Sequence, residues 1–303
     1  MASFRKNPNK IREGKTGYTL LIYAVVALLC FLCVYPMYYV LIMSFSSPEN
    51  AAQMNVYLFP EGFSLDAYKV LVQDPELWRA YLNTIIYVVP TTLLMLLTCV
   101  LVAYPLTNKH LIGRKFVNMF LLIPMYFGGG MIPTFLLINK LGLYDNPLSQ
   151  IIPVSYSIWN IILVKAYFSS LPESLREAAK IDGASVYQIL WKVYLPLSKP
   201  ILAVISVYTI VSVWNSWFNA MVYLPHTTWQ PLQPYLRRVL VENTKQITEV
   251  LSPSAAQELA RKQMSNAQLK YAMIIFTTLP VLFTYPFFQK YFVKGVMLGS
   301  LKE

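Results

Sequence analysis

The sequence is poor in charge. Only 13% of its 303 residues are Asp, Glu, Lys or Arg, about half the share usual in soluble domains, and histidine occurs twice. A water-soluble fold of this size needs more polar surface than that, so a free cytosolic enzyme is excluded. Hydrophobic residues at 56% and a mean hydropathy of +0.47 exclude a disordered chain. Three cysteines, Cys30, Cys33 and Cys99, are too few for a disulfide scaffold. Glycine, at 11 residues, is far too rare for collagen. The chain belongs in a membrane.

Charge is not merely scarce; six long runs have none at all: 18–47, 80–108, 116–139, 146–164, 200–224 and 271–289. Each approaches or exceeds the roughly 20 apolar residues needed to cross a bilayer as a helix. An all-α integral membrane protein with six transmembrane helices is expected. With the N-terminus inside, segments 1–17, 109–115, 165–199 and 290–303 are cytoplasmic and hold 16 Lys/Arg against 5 Asp/Glu. The outer segments hold 9 of each, so the whole net charge of +11 lies on one side. The positive-inside rule then gives N-in, C-in. The membrane domain spans 18–292, flanked by a basic cytoplasmic tail at 1–17 and a second tail at 293–303.

Several local signals have simple readings. Arg5, Lys6, Lys10, Arg12 and Lys15 resemble the basic start of a secretory signal, but about 30 uncharged residues follow with no small-x-small cleavage site, so the first run reads as a retained span. Cys30 and Cys33 share a helix face with no third ligand near, which suits small packing residues rather than a metal. Gly14-Lys15-Thr16 imitates the end of a phosphate loop, yet the required glycine at position 9 is Asn9. His110 and His226 fall on opposite sides of the membrane and cannot share a metal or a triad. Gly128-Gly129-Gly130, followed by Pro133, permits close helix packing or a broken helix. The uncharged spans argue against a proton relay or ion-coupled carrier. Energy for any transport must come from elsewhere.

Two outer segments are long. Residues 48–79, with Pro48, Pro60 and Pro75, read as an ordered loop with one or two short helices. Residues 225–270 begin with Pro225, Pro231 and Pro234 and become helical over 252–269, where Ser254 and Gln257 form a capping pair.

The inner segment 165–199 is more informative. Ser170 and Glu173 read as a capping box that starts a helix. Gly183 can take the left-handed conformation that ends it. A second short helix follows over Val186–Tyr194 and stops at Pro196. A DNA-reading helix-turn-helix is excluded by tethering between two spans, which bars a duplex. An amphipathic pair on the membrane surface and a rigid knob for a cytoplasmic partner both remain open.

Glu177-Ala178-Ala179, three residues to Gly183, nine more to Val193, then Leu195-Pro196 resembles the EAA loop of ABC importer permeases, with Val193 where Ile is common. The position of this loop between spans four and five, and the ending Val293-Lys294-Gly295-Val296-Met297-Leu298-Gly299-Ser300, are similar to the carbohydrate-uptake permeases on the maltose-type second-subunit side. Phe127-Gly128-Gly129-Gly130-Met131-Ile132-Pro133-Thr134 and Tyr285–Gly295 are similar to the branch importing complex or uronate-bearing oligosaccharides, such as alginate and aldouronate.

The resemblance implies a non-catalytic permease subunit in a bacterial cytoplasmic (inner) membrane. It would pair with a sister permease, a homodimer of ATPase subunits and an extracytoplasmic solute-binding protein that delivers the oligosaccharide. ATP and Mg would bind in the ATPase subunits and no cofactor in this chain; nucleic acid is not a partner. Glu177, Ala178, Ala179, Asp182, Gly183, Leu195 and Pro196 would form the ATPase-coupling surface. Small alanines permit close approach, Glu177 can meet a basic group, and Gly183 sets the turn.

Sugars are held by ring stacking and hydrogen bonds, so a path should offer aromatic and amide side chains. Trp159, Asn160, Tyr208, Trp214, Asn215, Trp217 and Asn219 fit, with Asn215 and Asn219 on one face of a continuous helix. An interfacial aromatic belt or interhelical hydrogen bonding accounts for the same residues. A membrane enzyme would need clustered acids, histidines or a metal box on one membrane face, and none is visible. A passive channel or scaffold differs by lacking ATP dependence.

Overall fold

The computed structural model describes residues 16–245, 266–284 and 286–289. The basic tail up to residue 15, the Ser254–Gln257 pair, Tyr285 and the C-terminal motif from residue 290 lie outside the described residues. Every regular element among those described is a helix. The chain divides into two compact units, Met1–Lys69 with Val250–Ile275, and Val70–Glu249 with Phe276–Glu303.

In the first unit, α1 runs over Thr16–Phe45, a 30-residue helix without charge. Residues 17–34 are exposed along the whole circumference, as expected of a helix whose partner is lipid or another chain. Only its end is packed: Ile42 and Met43 are buried with Ala51 of α2 (Pro48–Gln53) and Val56. Ser47 caps α2, and Gln268 donates to the carbonyls of Ser44 and Ser64. A further helix, α3, spans Asp66–Gln73. Of the one or two short helices expected in residues 48–79, two are present, α2 and α3. Lys69 donates to the Asp66 carboxylate at 2.9 Å, which with Ser64 holds that carboxyl below its ordinary value.

The second unit is organised by α4, Pro75–Thr107. Asp74 caps it by accepting from the Glu76 N–H at 2.8 Å, and Pro75 occupies the first turn where no N–H is needed. Its 33 residues make about 50 Å of helix, more than a bilayer core. One face carries Leu77, Tyr81, Thr84, Tyr87, Met95, Cys99, Ala103 and Tyr104, all buried.

The third run does not form one helix. It gives α5 (Arg114–Tyr126) and α6 (Met131–Lys140), bent by 113° across the glycines. Gly130 sits at φ +85, and a Cβ on Gly128 or Gly130 would meet nothing within 4 Å. Of the two readings of the glycine triplet, the broken helix is the one seen, and close packing within this chain is not.

The fourth run is also not a single helix. Asn146 caps a 3₁₀ turn at Pro147–Gln150, irregular backbone follows around Pro153, and Ser157 caps α7, Ile158–Ser170. Helix α7 therefore extends past the expected end at residue 164. Ser149, Gln150, Ile151 and Ser155 are buried while Ile152 and Tyr156 are exposed, so the irregular backbone is covered only in part by the described residues.

After α7 come α8 (Glu173–Ile181), α9 (Val186–Ile189), a π turn (Leu190–Tyr194) and α10 (Leu195–Leu197). Beyond these lie α11 (Lys199–Trp214), α12 (Phe218–Tyr223), α13 (Leu232–Lys245) and α14 (Asn266–Gln289). The helical α13 was not expected, while residues 266–269 of the expected 252–269 helix are helical. Among the described residues, three helices are long and apolar enough to cross a membrane, Gly17–Phe45, Pro75–Thr107 and Asn266–Gln289; counting the two bent pairs as spans gives five.

Candidate functional site

The loop after α7 is built around a turn at Gly183. The Ala184 N–H donates to the Ala179 carbonyl at 2.9 Å and the Gly183 N–H to the Lys180 carbonyl at 3.0 Å. With Gly183 at φ +76, this is the paired-bond ending that requires a left-handed residue. The expected helix stop is therefore seen. The Ser170–Glu173 capping box is not: Ser170 Oγ donates to the Tyr167 carbonyl at 2.7 Å, and Pro172 stands before α8 with no side-chain cap. The box forms one helix later, where Ser185 accepts from the Gln188 N–H and Gln188 returns a bond to the Ser185 N–H.

Pro196 does not stop the second helix either. The π turn lets the Leu195 N–H reach the Leu190 carbonyl, and helical backbone continues through Pro196 to Leu197. The direction changes at Ser198, by 76° into α11.

One side of this loop is anchored. Ile189, Leu190 and Tyr194 are buried against Cys99, Ala103 and Tyr104 of α4 and Val164 and Phe168 of α7. Each such side chain contributes about 1.5–3 kcal/mol. Ala179, Ala184, Val193 and Leu195 pack at the edge of the same cluster. The other side is free: Glu177, Ala178, Asp182, Gly183 and Pro196 are exposed, as are Ile181 at 87% and Tyr187 at 74%. A firmly rooted loop thus carries a small-residue, partly apolar face that the described residues leave uncovered.

Arg176, absent from the sequence-based set, joins the loop to its base. Its guanidinium is mostly buried, lies 2.7 Å from Glu173 and acts electrostatically on Tyr104 and Tyr194. Glu173 also meets Lys109, just beyond α4, at 3.5 Å. The signal was the i, i+3 spacing of Glu173 and Arg176, although spacing alone does not show burial.

A separate cleft of about 450 Å³ opens beside Met95, some 18 Å along α4 from Thr107. Asn160, Tyr208 and Asn219 of the sequence-based set line it, together with Tyr156, Ser157, Thr209 and Ser212. Charged side chains are absent from its lining. Among the described residues, no side-chain partner is found for Asn160, Asn219, Tyr208 or Ser212, so these groups are available to hydroxyls. Tyr156 was missed, although it stands beside the Trp159–Asn160 pair in a polar stretch.

The other four path candidates are elsewhere. Trp214 is core: it is buried, donates from Nε1 to the Thr277 carbonyl at 3.1 Å and meets Tyr81 edge-on. Asn215 ends α11, and α12 starts only at Phe218, so Asn215 and Asn219 do not share a helix face. Trp159 is exposed outside the cleft lining. Trp217 lies under the Arg237 guanidinium, 3.9 Å from ring centroid to carbon, a cation–π contact.

The N-terminal end of α4 is fastened by polar bonds. Asn83 donates to the carbonyls of Thr228 and Gln230, Tyr87 to Trp229, and Thr84 accepts from the Leu232 N–H at 2.8 Å. Tyr235 donates to Asp74, and Arg238 pairs with Glu76. Burial, then the Asp74 carboxylate, pushes the Tyr235 phenol up.

Residues 82–298 match the family described as binding-protein-dependent transport system inner membrane component. The chain belongs to that family. Among relatives of this permease, Protein LplC of Bacillus subtilis (strain 168) is 36% identical over 267 residues, 88% of each chain. The polygalacturonan/rhamnogalacturonan transport system permease protein YtcP of the same organism is 35% identical, covering 94% of the permease and 98% of YtcP. A chain in the crystal structure of a bacterial ABC transporter involved in import of the acidic polysaccharide alginate superposes with a TM-score of 0.81 at 34% identity, over 96% of the permease and 100% of that chain. The permease's Gly183 loop and cleft both fall within the family match.

Proposed function

We propose that this permease is one membrane half of an ATP-driven importer that passes an oligosaccharide into the cytoplasm. A sister permease forms the other half, an ATPase homodimer binds ATP and Mg, and an extracytoplasmic binding protein delivers the sugar. The chain itself hydrolyses nothing. The carrying observation is the loop from Glu173 to Leu197, rooted by Ile189, Leu190 and Tyr194 and exposed at Glu177, Ala178 and Gly183. That combination suits a lever moved by another subunit.

The proposed topology has six crossings with both termini inside and tails at 1–17 and 293–303. The third crossing is the bent pair α5 and α6; the fourth combines the 3₁₀ turn with α7. Clustering of Lys109, Arg114, Lys165 and Arg176 around one end of α4 and α7 supports a cytoplasmic placement of that end.

The names of YtcP and of the alginate importer favour a uronate-bearing substrate. The uncharged cleft lining favours a second reading, a neutral glycan fragment, since among the described residues no cation lines the cleft to meet a carboxylate. Uptake of labelled oligogalacturonide and of its carboxyl-reduced counterpart by proteoliposomes holding the full complex separates the two. Uptake of either that requires ATP and the binding protein supports the importer; uptake indifferent to both overturns it. Hydrolysis by the purified chain alone contradicts the non-catalytic assignment.

A further inference from the structure

Where the loop meets α4 and α7 there is a second, smaller pocket of about 170 Å³. Its polar walls are Thr107, Lys109, Arg114, Ser169, Glu173 and Arg176. Three cations face one carboxylate, and Glu173 is already shared between Arg176 at 2.7 Å and Lys109 at 3.5 Å. Arg114 is oriented by donating from Nε to the Leu106 carbonyl at 2.9 Å, which fixes its guanidinium at the pocket rather than in solvent. Lys165, bonded to Asn118 at 2.5 Å, adds positive charge beside Arg114. Among the described residues, the buried Nε of Arg176 has no partner. The surplus of positive charge is therefore uncompensated by the described residues.

We propose that this pocket binds a phosphate group, with the phosphodiester of an anionic phospholipid as its natural source. Fixed guanidinium groups suit phosphate oxygens, which they contact with paired donors. Helix α5 begins at Arg114 and has no buried residue, and Phe116 and Phe120 stack on its exposed surface next to the pocket. A headgroup held at Arg114 leaves its acyl chains beside that apolar helix. Basic pockets between spans on the cytoplasmic side are known acceptors of anionic headgroups. The site touches the base of the Gly183 loop through Glu173 and Arg176, so occupancy would stiffen the lever. The inference uses the N-in orientation proposed above only to choose the leaflet; the pocket's charge does not depend on it.

The test uses the full chain, purified with its co-assembling subunits in phosphatidylcholine nanodiscs. Dioctanoyl phosphatidylglycerol, dioctanoyl phosphatidylcholine and inorganic phosphate are titrated separately and read by native mass spectrometry. Phosphatidylglycerol should bind and phosphatidylcholine should not. Lys109→Gln and Arg114→Gln should each weaken binding about five-fold. Lys115→Gln, which removes the same charge outside the pocket, should not, and Arg114→Lys should retain much of the affinity. Because Lys109 is exposed, its substitution reports the site even if Arg114→Gln disturbs the fold. Inorganic phosphate binding with the same variant pattern keeps the site but makes free phosphate the ligand. Equal binding of both lipids without phosphate binding, or an equal loss in Lys115→Gln, overturns the proposal.

Discussion

Gly183 gives a clean test of whether the loop works through its backbone. The residue is exposed, sits at φ +76, and an added Cβ would meet no heavy atom within 4 Å. Substitution therefore introduces no clash within this chain, only the cost of holding a side chain in the left-handed region. For alanine that cost is about 1–2 kcal/mol, which shifts the population of the turn by about five- to thirty-fold. Asparagine tolerates the conformation and should cost less. Valine, branched at Cβ, should cost more than alanine. Substrate uptake by membranes containing equal amounts of assembled complex should then fall in the order Gly, Asn, Ala, Val, while insertion stays constant. Wild-type uptake by Gly183→Val would refute the reasoning. Equal loss in Asn and Val would mean that side-chain size at a docking surface, not backbone conformation, controls the loop.

Three other predictions address the path and the N-terminal end of α4. Asn160→Leu and Asn219→Leu should each lower uptake roughly ten-fold or more, because an unpaired polar group costs about 1–3 kcal/mol; complex yield should not change, and loss of uptake only in proportion to yield defeats the assignment. Trp214→Phe should instead lower thermal stability and uptake together, since it removes the bond to the Thr277 carbonyl inside the core, and uptake lost at full stability would return Trp214 to the path. Tyr235→Phe should loosen the outer loop by about 1.5–3 kcal/mol, a bond to a charged acceptor, seen as faster hydrogen exchange near Asp74. The phenol is pushed up in the fold, so this stabilisation is complete below the ordinary tyrosine value of about 10. It is lost as pH rises through the raised one; weakening already at neutral pH contradicts that sign.

The Gly183 loop was largely legible because its features are local. Gly183 needs one torsion angle, and the Glu177-Ala178-Ala179 spacing leaves Glu177 and Ala178 exposed on one side of a short helix while Ala179 packs toward the cluster beneath. The capping box was misplaced by fifteen residues because Ser170 and Ser185 both stand three before a Glu or Gln; only geometry shows that Ser170 bonds backward. Pro196 misled for a related reason: a π turn four residues earlier absorbs a proline that ends an ordinary helix.

The lining of the cleft was half legible. An uncharged run reveals its polar residues but not where its helix breaks, and the break at 215–217 separates Asn215 from Asn219. Trp214 looks identical in sequence to a path-lining tryptophan, and only its partners Tyr81 and Thr277, distant along the chain, make it core. The same limit applies to the fourth run, where Pro147 opens a 3₁₀ turn and Pro153 sits in irregular backbone before α7.

The central claim is that the exposed face of the Gly183 loop docks the ATPase subunit. With Cys30, Cys33 and Cys99 replaced by Ser, Ala178→Cys in the assembled transporter is treated with a short thiol-to-amine crosslinker, and Met54→Cys in the outer loop serves as the comparison. Both positions are exposed in this chain. The account predicts a covalent adduct with the ATPase subunit from Ala178→Cys, blocked by prior thiol labelling from the cytoplasmic side, and none from Met54→Cys. An unlinked ATPase with Ala178→Cys fully reactive to small thiol reagents, or an adduct from Met54→Cys, would contradict it.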